Sequence, residues 1–314
     1  MTKLSFYCDD TSPYTASPAA FKTFLDFCSS EGVAGESSAI LAFSWPKQGP
    51  GRPVTEIENA YIEQLRRAYD CGIDTHFELM THLGLFDFEK SCVPEGVIHE
   101  GVWLYEPSVS VKEYETYFDH IIAEGERIGV RFTGLTHPGC DCAPCTQRYE
   151  DLRRAGKTAP NPNVWQALFN LAKRGRFRGR TVPCFFSNVK EARMMAGDGS
   201  CGVYDLPPNA ADRFMVSQKY GKTVDPDYYI TADGESGRIV ELVRAGAPYC
   251  LFYMHWYGMH PDGSVGWDAF VCMVKRVQKL LRDQVAWVRP SQITDQLFKE
   301  RVPLRDAQVA AGQA

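Results

Sequence analysis

Short apolar runs alternate along the chain with stretches whose apolar residues recur at helical spacing. Apolar runs of this length are typical of parallel strands buried on both faces, and apolar positions three or four residues apart indicate helices that cover such strands. The predicted strands are residues 3–8, 38–45, 73–80, 130–135, 181–186, 227–231 and 249–255, with a further short strand at 285–288. Seven main strands in this alternating order predict an α/β fold of the distorted (β/α)7 barrel type.

The segments between the strands supply the expected outer layer. The predicted helices are residues 17–30, 54–71, 110–128, 235–245 and 265–283. The connection from 187 to 226 is rich in glycine and contains the Pro207-Pro208 pair, which predicts an irregular loop over one end of the barrel. The sequence shows no internal repeat or interdomain linker, and one barrel typically needs about 250 residues. Residues 1–314 are therefore expected to form a single barrel domain.

Composition and charge narrow the expected partners. The net charge of −5 is spread over both signs without a long run of either, so nucleic acid is not an expected partner. No stretch approaches the roughly 20 apolar residues of a membrane span, and the N-terminus lacks a secretory signal pattern. The 11 cysteines are an odd number, which fits a reducing compartment. We expect a cytoplasmic protein without membrane contact, and its oligomeric state stays open.

Acidic and imidazole side chains follow the predicted strands. Side chains that act on substrate in a βα barrel lie at the carboxyl ends of the strands, where the loops converge on one rim. The candidates at these ends are Asp9, Asp10, Glu78, His82, His137 and His255. Each places an acid or an imidazole at the same predicted rim.

The adjacent pair Asp9-Asp10 is the most informative of these candidates. Two ionised carboxylates repel each other, so a neighbouring cation or a raised pKa is needed to keep them together. Carboxylate and imidazole ligands suit zinc, with manganese or cobalt as alternatives, and an open coordination position would make the centre hydrolytic. Asp10 and His82 are the first two predicted ligands. The alternative is a turn or helix cap ahead of Thr11-Ser12-Pro13.

Three segments occur in an order that resembles the polysaccharide deacetylase superfamily. These are Tyr7-Cys8-Asp9-Asp10, Ala39-Ile40-Leu41-Ala42-Phe43 and Glu78-Leu79-Met80-Thr81-His82, followed later by Leu251 to Trp256 and by the ending Trp287-Val288-Arg289-Pro290. The superfamily includes nodulation-type chitooligosaccharide deacetylases and other carbohydrate esterases, as well as related amide hydrolases. The similarity extends over nearly the whole chain.

The resemblance implies a metal-dependent hydrolase that removes an acyl group, typically acetyl, from a saccharide. It makes Asp9 the general base, Asp10 and His82 metal ligands, and His255 the general acid, and each residue type suits its role chemically. The superfamily's second metal-binding histidine falls at Phe86 in this sequence, and its orienting arginine is absent. His137 is the predicted third ligand, ahead of Asp87.

Several residues are predicted to surround this centre. Trp45 and Trp256 could stack on a sugar or on a small amide substrate, with core packing as the alternative, and Glu78 is assigned to the substrate as well. One aspartate of the sixth predicted strand could orient His255. The candidates for that role are Asp225, Asp227 and Asp233.

Other interpretations of the same residues stay open. Cys140, Cys142 and Cys145 could form a structural zinc site that includes His137, although the spacing matches weakly. Asp9 or Asp10 could act with Glu78 as the acid and base of a glycoside hydrolase. A barrel with a degenerate metal site could also bind carbohydrate without catalysis.

Overall fold

Parallel strands form the centre of the fold in the computed structural model, which describes residues 1–41, 55–139, 143–154, 159–186, 189–214 and 224–311. The strands within these ranges are β1 Thr2–Asp9, β2 Gly35–Ala39, β3 Ile73–Phe77, β4 Gly134–Thr136, β5 Thr181–Phe185, β6 Arg193–Gly197, β7 Gly202–Asp205, β8 Tyr249–His255 and β9 Val285–Trp287. Their order in the sheet is β6-β7-β5-β4-β3-β2-β1-β8, and β9 pairs with β1. All pairs are parallel except β6 with β7. The sheet curls into the distorted (β/α) barrel that the sequence predicts.

Two parts of the strand prediction are wrong. Residues 227–231 form no strand, because Asp225 and Pro226 begin a 3₁₀ turn at Pro226–Tyr228 and the Asp225 side chain accepts a hydrogen bond from the Asp227 amide. The aromatic residues that suggested a strand are instead packed in the core, where Tyr229 is fully buried. Within the predicted loop 187–226, the chain forms the hairpin of β6 and β7.

Residues 206–210 connect the two sides of the curled sheet. The Leu206 amide donates to the Cys184 carbonyl on β5, and the amides of Asn209 and Ala210 donate to the Leu251 carbonyl on β8. The Tyr253 amide donates to the Ala210 carbonyl in return. This extended segment therefore closes the barrel between β5 and β8, and the chain then passes to the rim at Asp212.

Helices cover the outside of the sheet. They are α1 Pro18–Glu31, α2 Glu56–Ala68, α3 Glu100–Trp103, α4 Val111–Arg127, α5 Ala143–Arg154, α6 Pro162–Lys173, α7 Arg238–Arg244, α8 Trp256–Met259, α9 Val265–Leu280 and α10 Pro290–Ala311. All five predicted helices are confirmed, as α1, α2, α4, α7 and α9. The start of α10 covers the amino ends of the strands, where Ser291 donates its amide and its hydroxyl to Asp74. Within the described ranges, no helix has both the length and the apolar character that crossing a membrane requires.

The carboxyl-terminal half of the barrel interior is polar. The register pairs Tyr7 with Glu36 and Ser38 with His76, so these side chains share the inner face of the sheet. The carboxylates of Asp9 and Glu36 are buried on this face, and Glu78 follows β3 on the same side. Acidic groups are thus concentrated at the end of the barrel where a substrate would enter.

Candidate active site

Asp10, Glu78 and His82 bring their side chains together at the carboxyl ends of β1 and β3. Nε2 of His82 lies 3.2 Å from Oδ1 of Asp10 and 3.2 Å from Oε1 of Glu78. One potential ligand atom from each of the three residues lies within 4.8 Å of the others. Glu78 is held in place because its Oε2 accepts hydrogen bonds from the Asp10 amide at 2.9 Å and from the Ser38 hydroxyl at 2.5 Å.

The donor set of this triad fits a divalent cation. Two carboxylates and one imidazole are ligands that zinc and manganese accept. Oε1 of Glu78 is buried and faces Nε2 of His82 at 3.2 Å, while Oε2 of the same carboxylate holds the two hydrogen bonds from Asp10 and Ser38. The three side chains could therefore hold a metal ion, as the sequence predicts for Asp10 and His82.

The charges at this centre favour a positive group between the two carboxylates. Burial alone would lower the pKa of His82, but the carboxylates of Glu78 and Asp10 raise it well above its ordinary value. Burial likewise works to raise the pKa of Asp10, and the hydrogen bond and charge of His82 lower it on balance. A positive charge between the two carboxylates thus stabilises both of them, and either an imidazolium proton or a metal ion can supply it.

Asp9 lies beside this triad and is almost completely buried, at 4% exposure. Burial raises the pKa of Asp9 well above its ordinary value, and the neighbouring charges of Glu78 and Asp10 raise it further. A hydrogen bond from Tyr253 opposes that effect. A carboxyl group whose pKa is raised in this way is a stronger base than an ordinary aspartate.

His255 is oriented by an aspartate that the sequence prediction did not include. Its Nδ1 lies 2.7 Å from Oδ2 of Asp212, which is itself buried. The three aspartates proposed for this role act elsewhere: Asp225 caps the 3₁₀ turn, Asp227 pairs with Arg276 and Asp233 bonds Thr231. Asp212 follows the segment that closes the barrel, and no local sequence pattern marks it.

Three residues of the site have a left-handed backbone. The φ angles are 65° at Asp10, 54° at Leu79 and 60° at His82, and Ser91 is the fourth non-glycine residue with positive φ within the described ranges. Non-glycine residues rarely adopt this conformation, and each such residue costs of order 1 kcal/mol or more unless its surroundings hold it. The concentration of these residues at one place indicates that the surrounding structure holds the backbone of Asp10 and of the loop with Leu79 and His82 in a fixed conformation.

Glu100 holds the loop that carries His82. Its carboxylate is fully buried and accepts hydrogen bonds from the amides of Met80, Thr81 and His82 at 3.1, 2.9 and 2.8 Å. The hydroxyl of Tyr117 donates to the same carboxylate. These bonds satisfy three consecutive amides that the left-handed turns leave outside regular secondary structure.

We expect Glu100→Gln to lower the free energy of unfolding by about 1–3 kcal/mol, because the amide nitrogen cannot accept from the loop amides and leaves a buried donor unpaired. Urea denaturation checks this change. Glu113→Gln, at an exposed helix cap, is the matched control and should cost less. An unfolding midpoint for Glu100→Gln equal to that of wild type would contradict this role.

His137 lies outside the triad. Burial lowers the pKa of His137 to about 4, and its imidazole bonds the Gly101 carbonyl and contacts the rings of Tyr105 and Phe186. Asp87, the other predicted third ligand, pairs with Lys90 at 2.8 Å. Glu78 stands opposite Asp10 in the place that the sequence prediction gave to these residues.

The structure describes one of the two tryptophans that were predicted to contact a substrate. Trp256 begins α8 and has no exposed surface, because its indole packs edge-on against Phe21 and Phe24. It belongs to the core, which was the alternative interpretation, and we do not propose it as a substrate contact. Trp45, Cys140 and Cys142 lie outside the described residues, and of Cys145 only the helical backbone is described.

No protein-family model matches the sequence, and no curated protein matches it. Solved structures do share its fold. A probable polysaccharide deacetylase from Pseudomonas aeruginosa PAO1 matches 95% of this chain and 91% of its own length at 10% identity, with a TM-score of 0.54. The Puue allantoinase matches 93% of this chain and 88% of its own at 8% identity and a TM-score of 0.50.

A 4-alpha-glucanotransferase from Thermococcus litoralis also matches, over 94% of this chain but only 40% of its own length, at 9% identity and a TM-score of 0.52. At such low identities the likeness concerns the fold alone. The chain therefore has a polysaccharide deacetylase-like fold in a divergent form, as the motif order predicts.

Proposed function

We propose that this protein is a metal-dependent hydrolase that removes an acyl group, most plausibly acetyl, from an N- or O-acylated saccharide. The observation that carries the proposal is the triad of Asp10, Glu78 and His82 with the buried carboxyl group of Asp9 beside it. The resemblance to deacetylases in motif order and in fold supports the choice of substrate.

We assign each step of the proposed reaction to particular side chains. Asp10, Glu78 and His82 would hold zinc, manganese or cobalt, which when bound polarises the acyl carbonyl and makes water more acidic. Asp9 would take a proton from the attacking water, since its raised pKa suits a general base. His255, whose Nδ1 is held by Asp212, would give the proton on Nε2 to the departing amine or alcohol, with the substrate sharing that N–H with the Tyr253 oxygen.

Acetate release tests the proposal directly. Protein loaded in turn with zinc, manganese and cobalt is incubated with N-acetylated chitooligosaccharides, with O-acetylated xylan fragments and with small acylated amides. We expect acetate to appear in proportion to the metal content and to cease after a chelator strips the metal. Reducing ends and glycan length are measured in the same samples.

The products distinguish the other interpretations. Shortened glycans without acetate would favour the glycoside hydrolase, in which Asp9 or Asp10 and Glu78 act as acid and base. Tight glycan binding without turnover, unaffected by Asp9→Ala, would favour a carbohydrate-binding barrel. Full acetate release by metal-free protein would refute the metal-dependent mechanism.

A further inference from the structure

Tyr253 stands between the two groups to which we assign proton transfer. Its hydroxyl oxygen lies 2.7 Å from Nε2 of His255 and is also hydrogen-bonded to the Asp9 carboxylate. On its other side, Nδ1 of His255 lies 2.7 Å from Asp212. The four side chains form one hydrogen-bonded row from Asp212 through His255 and Tyr253 to Asp9.

The tyrosine ring has little freedom to leave this row. It stacks on Tyr7 with ring centroids 4.5 Å apart, and Tyr7 stacks in turn on Phe185 at 4.0 Å. The Tyr253 amide is fixed to the closing segment through the Ala210 carbonyl. A hydroxyl on a ring held in this way is a stationary hydrogen-bond partner.

Both ring nitrogens of His255 are engaged, and this determines the orientation of the imidazole. An imidazole bonded at Nδ1 alone can still swing about its χ angles, whereas bonds at both nitrogens hold the ring in one plane. Asp9 depends on the same hydroxyl, because its Oδ1 is buried without a hydrogen-bond partner within the described ranges. Removing the Tyr253 hydroxyl would release both groups together.

We infer that Tyr253 is a positioning residue, whose hydroxyl fixes the Asp9 carboxylate and the His255 imidazole relative to each other. That the fixed groups carry out proton transfer rests on the proposed function. That Tyr253 fixes them rests on the geometry alone. Tyr253 takes no part in holding the triad of Asp10, Glu78 and His82. Its loss should therefore affect the chemical step and leave metal binding unchanged.

Tyr253→Phe tests the inference, with Tyr249→Phe as the matched control. Tyr249 lies four residues earlier on the same strand and face, and its hydroxyl bonds the backbone at Pro207, at 3.5 Å, and at Ala192, away from Asp9 and His255. We expect Tyr253→Phe to lower kcat by about 10- to 100-fold, since small misplacements of catalytic groups cost this much. KM should stay within about twofold, and Tyr249→Phe should change neither constant by more than about twofold.

A second measurement, by NMR, tests the inference even if no substrate is turned over. In protein labelled with ¹⁵N-histidine, two-bond ¹H–¹⁵N spectra resolve the ring nitrogens of the seven histidines, and His255→Gln assigns the signals of interest. We expect Tyr253→Phe to shift Nε2 of His255, while Tyr249→Phe leaves it unchanged.

The outcomes separate the two proposals. If no substrate releases acetate but the Nε2 signal shifts in Tyr253→Phe, the proposed function fails and the positioning role stands. An unshifted Nε2 signal would overturn the role, as would an unchanged kcat in an active enzyme. A raised KM at constant kcat would also overturn it, because the hydroxyl would then be a substrate contact.

Discussion

Replacing Asp9 by asparagine is expected to lower kcat by about 10²- to 10⁴-fold, the usual contribution of a positioned general base. Asparagine has nearly the same size as aspartate and cannot accept the proton of the attacking water. The free energy of unfolding should not fall, because burial and neighbouring charges already disfavour the ionised carboxylate in the folded protein. Steady-state acetate release and urea unfolding provide the two measurements.

Asp74→Asn is the control for this variant. Asp74 is a fully buried carboxyl group at the opposite end of the barrel, and burial raises its pKa to about 6. Its substitution removes an interior acid far from the triad, so kcat per folded molecule should stay within about twofold of wild type. Equal losses in the two variants would mean that Asp9 acts only through the fold.

The second large effect concerns the third metal ligand. Glu78→Gln is expected to weaken metal binding by about 100-fold or more, because substitutions in the outer shell alone cost 10- to 100-fold. His137→Ala should leave the affinity within about threefold, since its imidazole bonds the Gly101 carbonyl instead. Titration of metal-free protein against a competing chelator measures both affinities.

Melting temperature gives an independent check on the same pair of variants. A ligand that binds only the folded state stabilises it, so added metal should raise the Tm of wild type and of His137→Ala. Glu78→Gln should show a much smaller increase at the same metal concentration. The opposite pattern would return His137 to the site and remove Glu78 from it.

Much of the candidate site was predicted from sequence, because side chains that act on substrate in a βα barrel lie at the carboxyl ends of the strands. Asp9 and His255 end strands of the barrel, Asp10 follows β1 directly, and His82 lies in the loop that follows β3. Local patterns are enough to find such strands, and the loops after them meet at the rim. The roles of these residues are still proposals that the experiments above test. Five of the helices were predicted in the same way, because each of them carries its own apolar periodicity.

The third member of the candidate metal triad could not be found in this way. The motif led to a search four residues after His82, at Phe86, whereas the structure places Glu78, four residues before His82, against Asp10. The left-handed turn at Leu79 brings the two side chains to the same point, and no hydrophobic pattern encodes a turn of that kind. Glu100 holds the loop from 18 residues away in sequence, which also leaves no local signal.

Contacts between segments that are distant in sequence could not be predicted either. Asp212 comes to His255 only because residues 206–210 cross from β5 to β8, and the sequence there resembles an ordinary loop. Trp256 follows the rim residue His255 in sequence, but it turns into α8 and packs in the core, which is the alternative that the sequence left open.

The closing segment makes the hydrogen-bonded row from Asp212 to Asp9 depend on a local folding equilibrium. Extended connections held by a few backbone hydrogen bonds open at a lower free energy than the strands beside them. If residues 206–210 detached from β8, Asp212 would leave His255 and Tyr253 would lose its backbone anchor at Ala210 in the same event. Amide protection at Ala210 and Tyr253 would then report the fraction of molecules in which the row from Asp212 to Asp9 is assembled.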